Sequence, residues 1–178
     1  MSYLTKMKGG AGRPPRVSVA EIFWSWLGSF VGISAVALLH FNVLKGSDAM
    51  MLIGSFGASA VLIYGAVKSP LAQPRNLLGG HLLSAVVGVS CYKLFPDQPV
   101  LASALAVSLA ITVMHLSSTL HPPGGATALI AVIGSANVHN LGYLYVLMPV
   151  GAGAAIMLIV ALVINNIPQK RQYPEFWF

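Results

Sequence analysis

Residues 119–130, TLHPPGGATALI, are the stretch on which the fold of this chain depends. A long apolar run precedes them and another follows, yet two prolines and two glycines interrupt the sequence between the two. A proline lacks a backbone N–H and pushes the residue before it out of the helical region. We therefore predict that a new helix begins near Pro122, inside a part of the chain that is otherwise continuously apolar.

The composition around this stretch is typical of a membrane protein. Of the 178 residues, 56% are hydrophobic and only 8% are charged, and the mean hydropathy is +0.78. A soluble domain carries charge on about a quarter of its residues. We predict an integral membrane protein with no room for a separate soluble domain and with no cofactor. The single cysteine, Cys91, excludes a disulfide bond within the chain.

The net charge of +6 does not indicate nucleic-acid binding. The basic residues cluster in the tails and short loops, as expected at the cytoplasmic ends of membrane spans. The lipid bilayer, rather than a nucleic acid, is the partner that this charge pattern predicts.

Four apolar runs are long enough to cross the bilayer core, which needs about 20 residues. They are residues 22–44, 77–95, 100–118 and 143–167. Two less regular runs contain the glycines and prolines, at residues 49–67 and 121–136, and the second could cross as a broken helix or dip in and return. The predicted organisation is a basic cytoplasmic tail at 1–21, a transmembrane domain at 22–167 and a short cytoplasmic tail at 168–178.

Loop charge favours six crossings over four. With six, Lys68 and Arg75 lie in an inside loop, Lys170 and Arg171 lie in an inside tail, and each outside loop pairs a lysine with an aspartate. With four crossings and two re-entrant segments, Lys68 and Arg75 move outside. The positive-inside rule therefore predicts six crossings with both termini in the cytoplasm, and a bacterial inner membrane is the expected location.

An internal repeat accompanies the six runs. GASAVL at 57–62 aligns with GATALI at 125–130 at an offset of 68 residues, and the same offset places 77–95 over 145–163. The halves, about 22–95 and 100–167, each contain a long run, a broken run and a long run. Three crossings per half would invert the second half relative to the first, as in many transporters. The predicted fold is all-α, with six membrane-crossing segments in two inverted three-segment repeats and with segments two and five broken.

A helix that begins inside the membrane offers a site for a small anion. Its first-turn N–H groups have no partner within the helix, and its dipole places about half a positive charge there. In the second half the candidate substrate-binding residues are His121, Pro122, Pro123, Gly124, Gly125, Ala126 and Thr127. Their counterparts in the first half are Ser55, Phe56, Gly57, Ala58 and Ser59, and Ser59 and Thr127 occupy equivalent positions. The alternatives are close helix packing for the glycines and a capped kink for HPPGG.

The positions of the acidic residues exclude several functions. All four lie at span ends or in tails: Glu21, Asp48, Asp97 and Glu175. A cation transporter or proton pump usually needs a carboxylate within the membrane, as would a metalloenzyme or an intramembrane aspartyl protease. We therefore predict that the protein is not an enzyme. We predict no metal site either, because the histidines lack carboxylate or thiolate partners at ligand spacing.

Three further side chains are candidates for gating or proton relay, namely Arg75, His81 and His115. A histidine in a span can carry a proton near neutral pH, and a bond to a neighbouring backbone carbonyl is the alternative for His115. Arg75 could attract or gate an anion, or it could be an anchor at the membrane surface.

Three stretches resemble the HPP family of integral membrane proteins, named for its His-Pro-Pro triplet. They are GSFGASAVL at 54–62, SPLAQPRNLLGGHLLSA at 69–85 and HPPGGATAL at 121–129. Members in cyanobacteria and chloroplasts are associated with nitrite transport, and some carry C-terminal regulatory domains. The resemblance implies nitrite as the substrate, whereas the residues alone indicate only a small anion. No such domain follows Phe178 in this sequence, so any regulation of that kind is expected to be absent or supplied by a partner.

The sequence therefore predicts membrane transport of a small inorganic anion, with nitrite preferred, by a homo-oligomer joined through small-residue helix faces. Two other functions stay open: an intramembrane enzyme, for which no nucleophile–base pair is found, and a structural or regulatory membrane subunit in which the glycines serve only packing. The choice among nitrite, nitrate, formate and bicarbonate stays open, as does the choice between a channel and proton-coupled transport.

Overall fold

The computed structural model of the protein describes residues 15–43 and 53–178, together with Met7. Throughout these ranges the regular secondary structure is helical. The predicted tail at 1–21 falls mostly outside the described residues, as do the end of the first predicted span and the first residues of the second run. The predicted outside loop with Lys45 and Asp48 also lies outside them.

The helices follow one another with short connections. They are α1 (Val19–Leu38), which continues as a π-helical turn at Leu39–Val43; α2 (Gly54–Ala60), which continues as a π-helical turn at Val61–Gly65; a 3-10 turn at Pro70–Ala72; α3 (Pro74–Leu94); α4 (Pro99–Leu116); α5 (Pro122–Ile133); α6 (Ala136–Leu141); and α7 (Ala152–Ile164), preceded by a π-helical stretch at Val146–Gly151.

Four of these helical stretches are long and apolar enough to cross a membrane. They are Val19–Phe41, Pro74–Leu94, Pro99–Leu116 and Val146–Ile164. The all-helical fold and the four long spans predicted from the sequence are thus confirmed. The two broken runs form apolar helices of half the length, Gly54–Gly65 and Pro122–Ile133. Each is about 18 Å long, against a hydrocarbon core of about 30 Å, so six crossings stay a prediction.

Proline sets the start of three helices. Pro74, Pro99 and Pro122 each occupy the first helical position of α3, α4 and α5. The N–H that proline lacks is one that a first turn leaves unpaired in any case, and its fixed φ suits the helix. The sequence prediction that a helix begins near Pro122 is therefore confirmed.

The fourth span is not the continuous helix that the sequence predicted over residues 143–167. Met148 has an extended backbone (φ −142°, ψ 120°) within Val146–Gly151, and Pro149 follows it. Proline cannot donate to the helical ladder and clashes with the preceding turn, so the span bends at this point. The stretch Val146–Gly151, which contains the bend, lies beside α3, while α7 packs against α1.

Glycines allow the long helices to approach the short ones closely. A Cβ on Gly88 of α3 would lie 2.5 Å from the backbone oxygen of Ala128 in α5, and one on Gly28 of α1 would lie 2.8 Å from the ring of Tyr64. Small residues permit such backbone contact between membrane helices. The packing interpretation therefore holds for these two glycines, and the contacts fix α5 against α3 and the end of α2 against α1.

Candidate functional site

The two short helices lie side by side through their polar residues. Ser55 Oγ of α2 is 2.9 Å from Thr127 Oγ1 of α5, and Ser59 Oγ is 3.0 Å from Nε2 of His121, the residue before α5. Ser59, the later of the two α2 residues, thus meets His121, the earlier of the two residues in the second segment. The helices therefore run in opposite directions, with the N-terminal part of each beside the N-terminal part of the other.

His81 of α3 lies between these two helices and contacts both. Its Nε2 is 2.7 Å from Ser59 Oγ and its Nδ1 is 2.7 Å from Thr127 Oγ1. The rings of His81 and His121 have centroids 5.0 Å apart. Ser59 and Thr127 lie 68 residues apart, the offset of the sequence repeat. One imidazole therefore joins the two hydroxyls that the repeat makes equivalent.

These five side chains form what we call the polar cluster: Ser55, Ser59, His81, His121 and Thr127. Four of them are completely buried and Ser55 is 1% exposed. A buried polar group without a partner is costly, and every buried side-chain nitrogen and oxygen in the described part of the chain has a partner. The cluster is therefore fully satisfied in this conformation.

The backbone supplies the remaining bonds of the polar cluster. His121 Nδ1 lies 2.8 Å from the carbonyl oxygen of Leu71, in the 3-10 turn before α3. Thr127 Oγ1 lies 3.3 Å from the carbonyl oxygen of Pro123, and the carbonyl of Thr127 accepts a hydrogen bond of 3.1 Å from the Tyr145 hydroxyl. Sequence reasoning missed Leu71 and Tyr145, because neither lies near the polar cluster along the chain and neither stands out from its surroundings.

The other predicted residues of the second half face elsewhere. Gly124 N–H donates to the carbonyl of His121 at 2.8 Å, and a Cβ on Gly124 would lie 2.7 Å from Ser84 Oγ of α3. Gly124 therefore serves close packing, and its N–H is already bonded. Gly125 and Ala126 line an apolar groove of about 560 Å³ between α4 and α5, together with Pro122.

In the first half the predicted residues divide in the same way. Phe56 is buried, with its ring centroid 5.5 Å from that of His81. Gly57 and Ala58 are exposed on the opposite side of α2. Only the serines of this segment therefore enter the polar cluster, and Phe56 forms part of its apolar wall.

Of the predicted relay and gating residues, only His81 belongs to the polar cluster. His115 is exposed and lines the groove beside α5. The Arg75 guanidinium donates to the carbonyl of Ser117 at 2.7 Å, where α4 ends. A cation that binds the last carbonyls of a helix stabilises that end. In this conformation Arg75 therefore caps α4 and does not reach the polar cluster.

The C-terminal segment folds back onto the helices. Arg171, which the sequence marked only as an inside charge, is 7% exposed and forms an ion pair of 2.8 Å with Glu21 of α1. The Tyr173 hydroxyl donates to the carbonyl of Ala72 at 2.8 Å. Burial raises the pKa of the Tyr173 phenol well above its usual range, so it stays a donor. The segment thereby braces the turn that carries Leu71.

The electrostatic surroundings of the polar cluster are neutral. Among the described residues, the hydrogen-bond partners of the five side chains are hydroxyls, imidazoles and backbone carbonyls, without a carboxylate, lysine or arginine. No group of three potential metal ligands occurs in the described ranges. The arrangement can exchange protons between hydroxyls and imidazoles and can donate hydrogen bonds to an anion.

The fold and the polar cluster define a multi-pass, α-helical membrane protein whose buried polar side chains meet where two half-length helices overlap. The transmembrane region of the HPP family matches residues 14–174. The chain belongs to this family, and the resemblance noted in the three sequence stretches is confirmed.

Two relatives are transmembrane proteins of Dictyostelium discoideum. One is 51% identical over 181 residues, which cover 100% of this chain and 58% of the relative. The other is 49% identical over 169 residues, which cover 93% of this chain and 59% of the relative. The chain thus spans less than two thirds of the length of either relative. No solved structure matches it.

Proposed function

We propose that the protein transports a small inorganic anion, with nitrite the preferred substrate, along a path that includes the polar cluster. The observation that carries this proposal is the burial of two histidines and three hydroxyls at the overlap of two half-length helices. A core of apolar residues would hold the same helices together without the desolvation cost of polar groups. Their presence at mid-chain in so apolar a protein favours a ligand over a purely structural role.

The chemistry of the polar cluster suits an anion. Ser59 and Thr127 can turn their hydroxyls toward a ligand, and an imidazole can add an N–H donor. In the described part of the chain no carboxylate hydrogen-bonds to these groups, so no acidic partner repels a negative charge there. The helix dipole of α5 has its positive end at Pro122. Because every bond of the polar cluster is already made, we interpret this conformation as closed, with the anion binding after Ser59 or Thr127 changes partner.

A basic cavity supplies an approach to the polar cluster. It has a volume of about 510 Å³ and lies where α2 ends, lined by Lys68, Lys170 and Arg171 among others. Two of these cations are exposed, whereas Arg171 is paired with Glu21. Glu21 also lines the cavity, but Lys68 and Lys170 leave an excess of positive charge there, which raises the local concentration of anions. We propose that this cavity collects anions on one side of the membrane.

We also propose how the whole chain is arranged in the membrane. The antiparallel short helices have bounds that lie 68 residues apart, which supports two inverted repeats and six crossings. Both termini are proposed to be cytoplasmic, and exposed small residues such as Gly57 support a homo-oligomer. A bacterial inner membrane stays a prediction, since the two relatives from Dictyostelium show that similar chains also occur in a eukaryote.

Thr127→Val tests whether the polar cluster lies on the path. Valine keeps the shape of the side chain and removes the hydroxyl that contacts His81 and Ser55. Purified protein in liposomes should take up nitrite about tenfold more slowly than the wild type, since one hydrogen bond to a charged group is worth about 1.5–3 kcal/mol. The matched control is Thr112→Val, because Thr112 is exposed on α4 and its hydroxyl donates to Ser108.

The control variant should transport nitrite at the wild-type rate. If both variants matched the wild type, the polar cluster would not lie on the path. If the wild type itself gave no uptake above that of empty liposomes, a structural or regulatory membrane subunit would be the better interpretation.

A further inference from the structure

The donor and acceptor roles in the polar cluster can be assigned one after another, starting from the contact between His121 and Leu71. The carbonyl of Leu71 can only accept, so His121 Nδ1 carries a proton and donates to it. In a neutral His121 the other nitrogen, Nε2, is then an acceptor, and Ser59 must donate its only hydroxyl proton to it.

The same reasoning extends to the second histidine. Because the Ser59 hydroxyl donates its only proton to His121, His81 Nε2 must donate to Ser59 Oγ. Nδ1 of a neutral His81 is therefore an acceptor, and it receives the hydroxyl proton of Thr127 when that hydroxyl turns to it from Ser55 Oγ, its acceptor at 2.9 Å in the structure. The two neutral histidines are thus opposite tautomers, with the proton on Nδ1 of His121 and on Nε2 of His81.

We infer that His81 and His121 hold one exchangeable proton between them, passed through Ser59, and that this proton crosses the membrane with the anion. This inference rests on the proposed function and deepens it, because it chooses proton-coupled transport over a channel.

The polar cluster contains a hydrogen-bond acceptor for a proton added to His81. When His81 Nδ1 gains the proton, it donates to Thr127 Oγ1, and the Thr127 hydroxyl donates to Ser55 Oγ, 2.9 Å away, or to the carbonyl of Pro123, 3.3 Å away. The hydroxyls of Ser59 and Thr127 and the N–H groups of both histidines then all have acceptors. No side chain has to leave its place for the proton to be held.

Transfer to the second histidine balances in the same way. Ser59 Oγ takes the Nε2 proton of His81 while its own proton passes to Nε2 of His121, so one O–H and one N–H bond break and one of each form. His81 is then neutral with its proton on Nδ1, and His121 is the cation. A second added proton would leave Ser59 facing two N–H donors with no acceptor for its own proton. The capacity of the pair is therefore one proton.

Coupling to an anion follows from the burial of this pair. A buried cation without a counter-ion is costly, and no described carboxylate contacts either ring. The charged groups of the neighbouring elements are engaged elsewhere: Arg75 with Ser117, and Arg171 with Glu21. The neighbouring phenols Tyr64 and Tyr145 donate to backbone carbonyls. An anion entering the polar cluster is thus the counter-ion that the protonated pair lacks, and each offsets the desolvation cost of the other.

The tautomers can be measured without any transport assay. Protein labelled with ¹⁵N-histidine and reconstituted in lipid bilayers is examined by solid-state NMR, with His81→Gln and His121→Gln used to assign the signals. At alkaline pH we expect His121 protonated on Nδ1 and His81 on Nε2. On acidification one proton should be taken up by the pair, and added nitrite should move that uptake to higher pH. Identical tautomers, or uptake of two protons in one step, would overturn the inference.

Transport measurements test the coupling itself. Liposomes with a trapped pH dye receive nitrite under a pH gradient or under a potassium diffusion potential, and empty liposomes give the background from nitrous acid crossing lipid unaided. One proton per nitrite is electroneutral, so wild-type uptake should follow the pH gradient and ignore the potential. Uptake that instead follows the potential without proton movement would leave anion transport intact and refute the coupling.

Ser59→Ala removes the bridge and leaves both histidines. We expect about a tenfold or greater loss of uptake driven by the pH gradient. Exchange of nitrite down its own gradient should fall less, because Ser59 is also one of two proposed hydroxyl donors to the anion. Ser59→Thr keeps the hydroxyl and should restore coupling. The matched control is Ser84→Ala, because Ser84 is also buried but its hydroxyl donates to the sulfur of Met114 at 3.6 Å, outside the polar cluster. Proton-coupled uptake that survives Ser59→Ala at the control rate would overturn the relay.

If the wild type takes up no nitrite at all, both the proposed function and the coupling fail. The NMR measurement then still decides whether the histidine pair holds a single proton. Failure of transport and failure of the proton site are therefore separate results.

Discussion

Arg171→Gln is expected to loosen the C-terminal segment from the helices. The Arg171 guanidinium donates to the Glu21 carboxylate at 3.0 Å, to Ser25 Oγ at 2.9 Å and to Asn165 Oδ1 at 3.2 Å. It thus joins the end of the chain to the start of α1 and the end of α7. Glutamine is too short to keep these bonds together, and it carries no charge for Glu21.

The size of the effect follows from the exposure of the partners. The Arg171 side chain is 3% exposed, but that of Glu21 is 40% exposed, so solvent screens the ion pair and leaves it worth about 1 kcal/mol or less. The two hydrogen bonds to Ser25 and Asn165 add about 1 kcal/mol each. The total is about 2–3 kcal/mol, which lowers the melting temperature of a chain of this size by roughly 5–10 °C.

The single cysteine provides the assay. Cys91 is 3% exposed in α3, so a thiol-reactive dye that fluoresces on reaction reports unfolding of the purified protein in detergent. Lys170→Gln is the control, because Lys170 is the exposed neighbour and its loss should shift the melting temperature by no more than about 2 °C. A melting temperature for Arg171→Gln equal to that of the control would refute the reasoning that this side chain joins the two ends of the fold.

Three further predictions concern Gly88, Gly125 and Arg75. Gly88→Leu should prevent correct folding, seen as loss of a monodisperse peak in gel filtration, because its Cβ would lie 2.5 Å from backbone of Ala128. Gly125→Leu should fold and keep nitrite uptake, because its Cβ would meet nothing nearer than Val107 at 3.9 Å and the residue faces away from the polar cluster; strong loss of uptake would place the anion in the groove instead. Arg75→Gln should cost about 1 kcal/mol, or roughly 2–4 °C, by uncapping α4. Uptake per inserted protein should not change, and a loss would return Arg75 to the anion path.

The helix starts could be predicted from the sequence because their cause is local. Pro122 removes a donor and fixes φ wherever it stands, so the break in the apolar run was readable before any packing was known. The bend at Met148 has the same cause in Pro149, but there the apolar run continues unchanged on both sides. Hydropathy alone therefore predicted one straight span and missed the bend.

The candidate site was only partly predictable, because long-range packing decides which face of each helix is buried. The predicted repeat placed Ser59 and Thr127 at equivalent positions, and the structure brings both to His81. It gave no means of knowing that Gly125 faces away from them. Arg171 was beyond prediction for a similar reason, since a basic residue near the end of the chain is usually an exposed anchor and its partner Glu21 lies 150 residues earlier.

Anion uptake by the purified wild-type protein in liposomes tests the central claim most directly. Initial rates for nitrite, nitrate, formate and bicarbonate are compared with those of empty liposomes of the same lipid composition. We predict nitrite uptake well above the background, with nitrite the fastest of the four anions. Rates equal to the background for all four anions would contradict it.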